Sequence, residues 1–132
     1  MKKITAEQKR NLLSAIDLAN NRGTGLYTEG DKMCCVIAHL ASLEGVSHAL
    51  IKRWDDGVFV ILSKKGAPGA LKPYPLELLH YLQYIHDNLD IDEETSKARM
   101  REMVEISSSD DFMDINKYAF SIKIPILKLS DR

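Results

Sequence analysis

Cysteine is scarce in this sequence: there are two, Cys34 and Cys35, and they are adjacent. Consecutive Cα atoms lie closer together than the two Cα atoms of an ordinary disulfide, so neighbouring cysteines rarely bridge each other. A disulfide-stabilised scaffold of the kind found in small secreted proteins is therefore excluded. We expect two free thiols, which is typical of a cytosolic protein.

Long hydrophobic runs and an excess of one charge are also missing. No apolar run reaches the roughly 18 residues of a membrane-spanning helix, and residues 1–10 contain no apolar core of a secretory signal. We therefore expect no membrane partner and a cytoplasmic location. The 18 basic and 19 acidic side chains give a net charge of −1, which disfavours a nucleic-acid coat protein.

Several motifs that carry chemistry are absent as well. The sequence has no phosphate-binding P-loop, no Gly-x-Gly-x-x-Gly dinucleotide motif, no Gly-x-Ser-x-Gly nucleophile elbow and no complete zinc-ligand set. Asp90, Asp92, Glu93 and Glu94 lack the glycine and the spacing of a calcium loop. No cofactor and no metal site is therefore predicted.

The hydrophobic fraction of 45% in 132 residues is enough for one core, and we expect a single domain over residues 1–132. Apolar side chains recur at helical spacing in five segments, and Thr5 with Gln8 forms a capping box before the first. The helix predicted over residues 33–43 is apolar on nearly all sides, so we place it at the centre of the core. The predicted helices begin near Thr5, Met33, Ser47, Leu76 and Asp92.

The C-terminal part of the chain shows a different periodicity. Apolar residues alternate with other residues from Tyr118 to Ile126, which predicts a β-strand over residues 118–127. The five apolar residues 58–62 make its simplest partner. The fold class predicted from the sequence is therefore α+β, with a helical core around residues 33–43 and a small antiparallel sheet that includes 58–62 and 118–127.

Cys34 and Cys35 fall at the expected start of the central helix, where the helix N-terminus would stabilise a thiolate. A cysteine nucleophile needs a base, and the candidates are the four histidines, His39, His48, His80 and His86. His39 comes four residues after Cys35, and His86 is followed by Asp87, which could orient it. The alternative is that the thiols are packing residues, because their flanks are apolar and free cysteine is among the most buried residue types. We favour packing, and no catalytic residue is assigned.

Acidic residues are concentrated in one stretch of the chain. Residues 87–114 contain ten acidic and three basic side chains, a local charge of −7. Such a stretch is commonly a solvated helix face; the functional alternative is a surface that imitates nucleic-acid phosphates or meets a basic partner. The residues expected to take part in binding are Glu93, Glu94, Asp110 and Asp111.

Two segments resemble small phage and prophage proteins of unknown function. Residues 24–30 read Thr-Gly-Leu-Tyr-Thr-Glu-Gly, and residues 33–40 read Met-Cys-Cys-Val-Ile-Ala-His-Leu. In those proteins a Gly-x-Tyr-x-x-Gly loop precedes a helix that starts with two cysteines. Further along, the phage proteins carry a leucine-rich segment before an acidic helix, and residues 82–87 occupy the matching place in this chain. The resemblance covers residues 8–105 and implies a phage origin without assigning chemistry.

We therefore expect a small phage-type accessory protein that acts in the host cytoplasm by binding a host or bacterial-defence component with a basic surface. One alternative is a cysteine-dependent hydrolase or transferase with Cys34 or Cys35 as the nucleophile. Another is a small-ligand or nucleotide binder that uses the loop at residues 23–31. Copurification of a host protein would support the binding hypothesis. Fast thiol labelling would support the cysteine enzyme, and a copurified small molecule would support the ligand binder.

Overall fold

The computed structural model describes residues 3–20, 22, 27–29, 32–54, 68–109 and 115–124. The predicted α+β class is wrong, because these residues form six helices and one antiparallel pair of two-residue strands, too small to build a layer. The strands are β1 (Thr28–Glu29) and β2 (Lys32–Met33). The helices are α1 (Ala6–Leu18), α2 (Val36–Leu43), α3 (His48–Trp54), α4 (Leu76–Asp87), α5 (Glu93–Ser108) and α6 (Ile115–Ser121).

Helix α1 begins at the capping box that the sequence predicts. The Thr5 hydroxyl accepts a hydrogen bond from the Gln8 amide at 3.1 Å, and the Gln8 side chain accepts one from the Thr5 amide at 2.9 Å. The next turns place Leu12, Ala15 and Ile16 on one completely buried face. The first helix therefore forms where local hydrogen bonding and periodicity agree.

Helix α2 lies at the centre of the core, as the sequence predicts, but it starts three residues later than expected. Five of its eight residues are completely buried, and it contacts α1, α3 and α4. Residues 32–35 are used by β2 and by the turn that contains both cysteines, so the helix begins at Val36.

The core is built from α1, α2, α4 and α5. Both α1 and α4 contact both α2 and α5, while α3 packs on α2 and α6 packs on α5. The edge of one ring of the Tyr27–Trp54 pair meets the face of the other at a centroid distance of 5.5 Å, which ties the segment before β1 to α3. None of the described helices is both long and apolar enough to cross a membrane.

The chain from residue 115 onwards corrects the predicted strand over 118–127. Residues 115–121 are helical, and the packed side chains are Ile115, Tyr118, Ala119 and Ile122, which is helical spacing. Phe120, which the strand would bury, is 75% exposed. Residues 125–127 and the predicted partner strand 58–62 lie outside the described residues.

Helices α2 and α6 end in the same way. After α2, Gly45 takes the left-handed conformation with φ 92°, and the Val46 amide donates to the carbonyl five residues earlier at 2.9 Å. After α6, Lys123 takes this position with φ 63°, and the Ile124 amide makes the equivalent bond at 3.0 Å. The turn brings Ile124 back against the core, where it is 7% exposed.

Candidate functional site

Both cysteines lie in the turn between β2 and α2. Cys34 has no exposed surface and Cys35 is 4% exposed, which confirms the prediction that both are mostly buried. The Cys34 amide donates to the Tyr27 carbonyl and the Cys34 carbonyl accepts from the Asn20 amide, both at 2.8 Å. The Cys35 sulfur caps α2 by accepting a hydrogen bond from the Ala38 amide at 3.4 Å.

The surroundings of the Cys35 thiol favour its protonated form. Burial raises the pKa of this thiol to about 12, and the negative charge of Asp87 acts in the same direction. Hydrogen bonds from the Ala38 and Ile37 amides oppose the rise without overcoming it. Because the thiolate is the nucleophile in cysteine catalysis, a buried and protonated Cys35 is poorly suited to it.

Two of the candidate bases, His39 and His86, lie near this thiol and are themselves desolvated. Burial lowers the pKa of His39, which is half-buried one turn along α2. On α4, His86 is 2% exposed, and burial lowers its pKa to about 4, helped by the positive charges of Arg22 and Lys97. Burial raises the pKa of Asp87, and Arg22 opposes that rise.

The structure therefore gathers these candidates at the contact of α2 with α4 without forming a catalytic pair. Among the described residues the Cys35 thiol makes no side-chain hydrogen bond to His39 or His86; the His39 amide donates only to the Cys35 backbone carbonyl, at 3.1 Å. The same residues contain no group of three His, Cys, Asp or Glu side chains placed to hold a metal ion. The loop at 23–31, the alternative ligand site, lies mostly outside the described residues.

Arg22 binds the end of α4, where His86 and Asp87 lie. The sequence pattern did not indicate this role. The Arg22 guanidinium donates to the carbonyl oxygens of His86 at 3.1 Å, of Ile91 at 2.8 Å, and of Asn88. These oxygens belong to the end of α4 and the turn before α5, where helix carbonyls lack intrahelical partners. Arg22 therefore caps α4 and fixes the turn into α5.

Two of the three cations on α5 are bound to α1. The Lys97 ammonium donates to the Asp17 carbonyl at 2.8 Å, and the Arg101 guanidinium donates to the Asp17 carboxylate at 2.9 Å. They supply positive charge to the end of α1, which has no basic residue in its own last turn. The Lys97 ammonium also lies 3.8 Å from the carboxylate of Glu93, one turn earlier on α5. The third cation, Arg99, makes no ion pair with a described residue.

A shallow groove of about 560 Å³ runs between α5 and α6. Tyr118 of α6 is half-buried there, and burial raises the pKa of its phenol; the Glu102 carboxylate adds to the rise and Arg99 opposes it. The Glu102 carboxylate and the Arg99 guanidinium of α5 therefore both act on the Tyr118 phenol of α6. The lining residues are Glu94, Thr95, Ala98, Arg99, Glu102 and Tyr118.

The four acidic residues that are predicted to bind a partner differ in where they lie relative to the groove. Glu94 lines the groove, whereas Glu93 is exposed beside it and is paired with Lys97. Asp110 and Asp111 lie outside the described residues. Of the two described members of this set, Glu94 lies at a concave surface and Glu93 does not line it.

Sequence reasoning singled out Glu94 but not the other five described residues that line the groove, and two of these five are informative. Glu102 lies eight residues after Glu94, and a helical projection of α5 would have placed them on neighbouring faces. Tyr118 gave no such signal, because its segment was assigned to a strand. Only the packing of α6 on α5 brings it to the groove.

Comparison of the chain with family models, curated proteins and solved structures found no match. Function is therefore inferred from the residues of this chain.

Proposed function

We propose that this chain is a small binding protein that docks an acidic surface of α5 on a basic surface of another protein. The α5 acidic surface consists of Glu93, Glu94 and Glu102. One observation carries the proposal: Lys97 and Arg101 of α5 are bound to α1, whereas Glu94 and Glu102 have no ionic partner among the described residues.

The electrostatics of this surface favour a basic partner. The stretch 87–114 has a local charge of −7, while the whole chain has only −1, so the rest of the chain is net basic. Carboxylates at this density repel one another, and a basic surface would relieve the repulsion and accelerate encounter. The buried thiols offer no comparable support for catalysis, because Cys34 and Cys35 are closed off from solvent.

The class of partner follows from the resemblance to small phage and prophage proteins. A phage accessory protein that binds acts on components of its host, so the partner we propose is a host or bacterial-defence protein in the host cytoplasm. The basic surface of that partner is the feature that the α5 acidic surface recognises.

Capture from a bacterial lysate followed by affinity measurement tests this proposal. The immobilised full chain is used as bait, a captured protein is identified, and its affinity is measured at low and high salt. We expect the affinity to fall as salt rises, because screening weakens attraction between charged surfaces. Reversal of all three carboxylates (Glu93→Lys, Glu94→Lys and Glu102→Lys) is expected to weaken binding by roughly tenfold or more.

A matched control is the reversal Glu7→Lys on the exposed first turn of α1, away from the α5 acidic surface. Circular dichroism establishes that each variant stays helical. A partner whose affinity is insensitive to salt and to the three reversals would overturn the proposal, and the α5 acidic surface would then be only a solvated helix face.

A further inference from the structure

We propose that protonation of His86 opens the junction where Arg22 binds the end of α4, so that Cys34 and Cys35 become accessible in acid while the helical core stays folded. The inference goes beyond the proposed function, because it concerns the thiols and not the binding of a partner. The polar junction is formed by Arg22, Cys35, His39, His86 and Asp87.

The closed structure disfavours a charged His86 imidazole. The residue is 2% exposed, and its imidazole makes no hydrogen bond to a described residue. Arg22 and Lys97 lie near it as positive charges, and His39 of α2 adds to their effect. The Glu93 carboxylate of α5 acts in the opposite direction, but its effect is smaller than that of either cation. An imidazolium formed here would therefore meet net repulsion without an acceptor for its proton.

The two cations beside the imidazole are tethered to helix ends. Arg22 donates to the backbone carbonyl of His86 itself at 3.1 Å, and Lys97 donates to the Asp17 carbonyl at 2.8 Å. Neither cation moves away from an imidazolium without giving up such bonds, and Arg22 has the larger effect on His86. A charged imidazole with no protein acceptor requires water, so the packing around it has to open.

The packing around His86 consists of chain ends, which open at lower cost than the middle of a helix. The end of α4 and the start of α2 meet here, and Arg22 lies between α1 and β1 and belongs to no helix. The Cys34 carbonyl accepts a hydrogen bond at 2.8 Å from the amide of Asn20, two residues before Arg22. Release of Arg22 therefore loosens the same turn that holds the thiols.

Other groups of the junction also respond to pH. His39 faces His86 from α2, and burial lowers the pKa of that imidazole too, so its protonation acts in the same direction. Burial raises the pKa of Asp87, so a proton on this carboxyl favours the closed form and acts in the opposite direction. The Cys35 thiol stays protonated in acid, because its pKa is about 12.

Thiol labelling followed by mass spectrometry measures the opening. The rate for the folded chain is divided by the rate for the denatured chain at the same pH, which cancels the reactivity of the thiol itself. The pKa of His86 is about 4 in the closed form against 6.5 in water, so this labelling ratio is expected to rise roughly thirtyfold between pH 6.5 and about 4.5. Denaturant below the unfolding transition should leave the ratio unchanged, because a local opening exposes little surface.

Three variants assign the opening to the junction. His86→Leu cannot take up the proton, so its labelling ratio should rise far less in acid. The matched control His48→Leu removes an imidazole at the start of α3, outside the junction, and should keep the rise of the wild-type chain. Arg22→Gln removes the bonds to the end of α4, and its ratio at neutral pH should already be about tenfold higher. Circular dichroism establishes that each variant is helical.

Three results would overturn the proposal. A wild-type labelling ratio that does not change with pH would show that His86 takes up its proton without an opening. A ratio with the same denaturant dependence as the unfolding transition would show that the thiols are reached by global unfolding. Equal loss of the rise in His86→Leu and His48→Leu would show that the effect does not belong to the junction.

Discussion

At Cys35 two effects of opposite sign act on one thiol. The start of a helix supplies amides that stabilise a thiolate, and the Ala38 amide is in place at 3.4 Å from the sulfur. Burial to 4% exposure removes the water that would solvate that anion, and it raises the pKa to about 12. Burial dominates, so the residue type and its position at a helix start do not make a nucleophile here.

Slow thiol labelling is the expected consequence. Because Cys34 and Cys35 are both buried, a soluble maleimide should react with either only when the chain opens, far more slowly than with the denatured protein at the same pH. Mass spectrometry over time measures both rates. Labelling of the native protein as fast as that of the denatured protein would contradict the packing role and restore the cysteine-enzyme hypothesis.

At the scale of the element, α6 shows how one sequence pattern fits two structures. The residues from Tyr118 to Ile124 alternate in a way that is typical of a strand, yet Ile115, Tyr118, Ala119 and Ile122 also satisfy helical spacing. The helix is formed because that second set packs on the existing core. Local periodicity alone cannot choose between the two when both are present.

Two alanine substitutions distinguish the helix from the strand. Ile115→Ala removes a side chain that is 2% exposed, and we expect a loss of about 2–5 kcal/mol in the free energy of unfolding. Phe120→Ala changes a side chain that is 75% exposed, and we expect a change within about 0.5 kcal/mol. Denaturant unfolding followed by circular dichroism measures both. A large loss in Phe120→Ala would instead support the strand.

At the scale of the whole molecule, the folded core buries the imidazole of His86 among charged side chains. His86 is 2% exposed and lies near the charges of Arg22, Lys97, His39 and, with opposite effect, Glu93. Arg22 binds the end of α4 and Lys97 binds the end of α1, so neither cation is free to move away without breaking a helix cap. The folded state therefore favours a neutral His86.

Stability is expected to fall in acid for this reason. The pKa of His86 is lowered from 6.5 to about 4 in the folded chain. As the pH falls below 6.5 the unfolded chain takes up a proton that the folded chain refuses, so the stabilisation is complete at neutral pH and is lost between pH 6.5 and about 4. The loss from this residue is on the order of 3 kcal/mol.

Denaturant unfolding at a series of pH values measures this slope. The variant His86→Leu cannot take up the proton, and its stability should therefore vary less over the same pH range. Asp87, whose pKa is raised, is present in both proteins and cancels in the comparison. Parallel curves for the wild-type chain and the variant would contradict the assignment.

The sequence by itself determined the features that depend on neighbouring residues. The capping box at Thr5, the starts of α4 and α5, the central place of α2 and the burial of both cysteines all follow from local hydrogen bonding and apolar periodicity, and the structure confirms them. Of the candidate site, the sequence predicted Glu94 as a binding residue, which stays a prediction, and it indicated neither the groove nor the places of Glu102 and Tyr118 in it.

The tertiary structure decided the features that depend on distant partners. It made α6 a helix, because the surface of α5 accepts that face of the segment. It made Arg22 a helix cap through carbonyl oxygens 64 to 69 residues further along the chain. It also set which charges of α5 stay unpaired, because Asp17 of α1 binds Lys97 and Arg101. Contacts of this kind leave no periodic trace in the sequence, since each joins groups whose separation along the chain has no regular value.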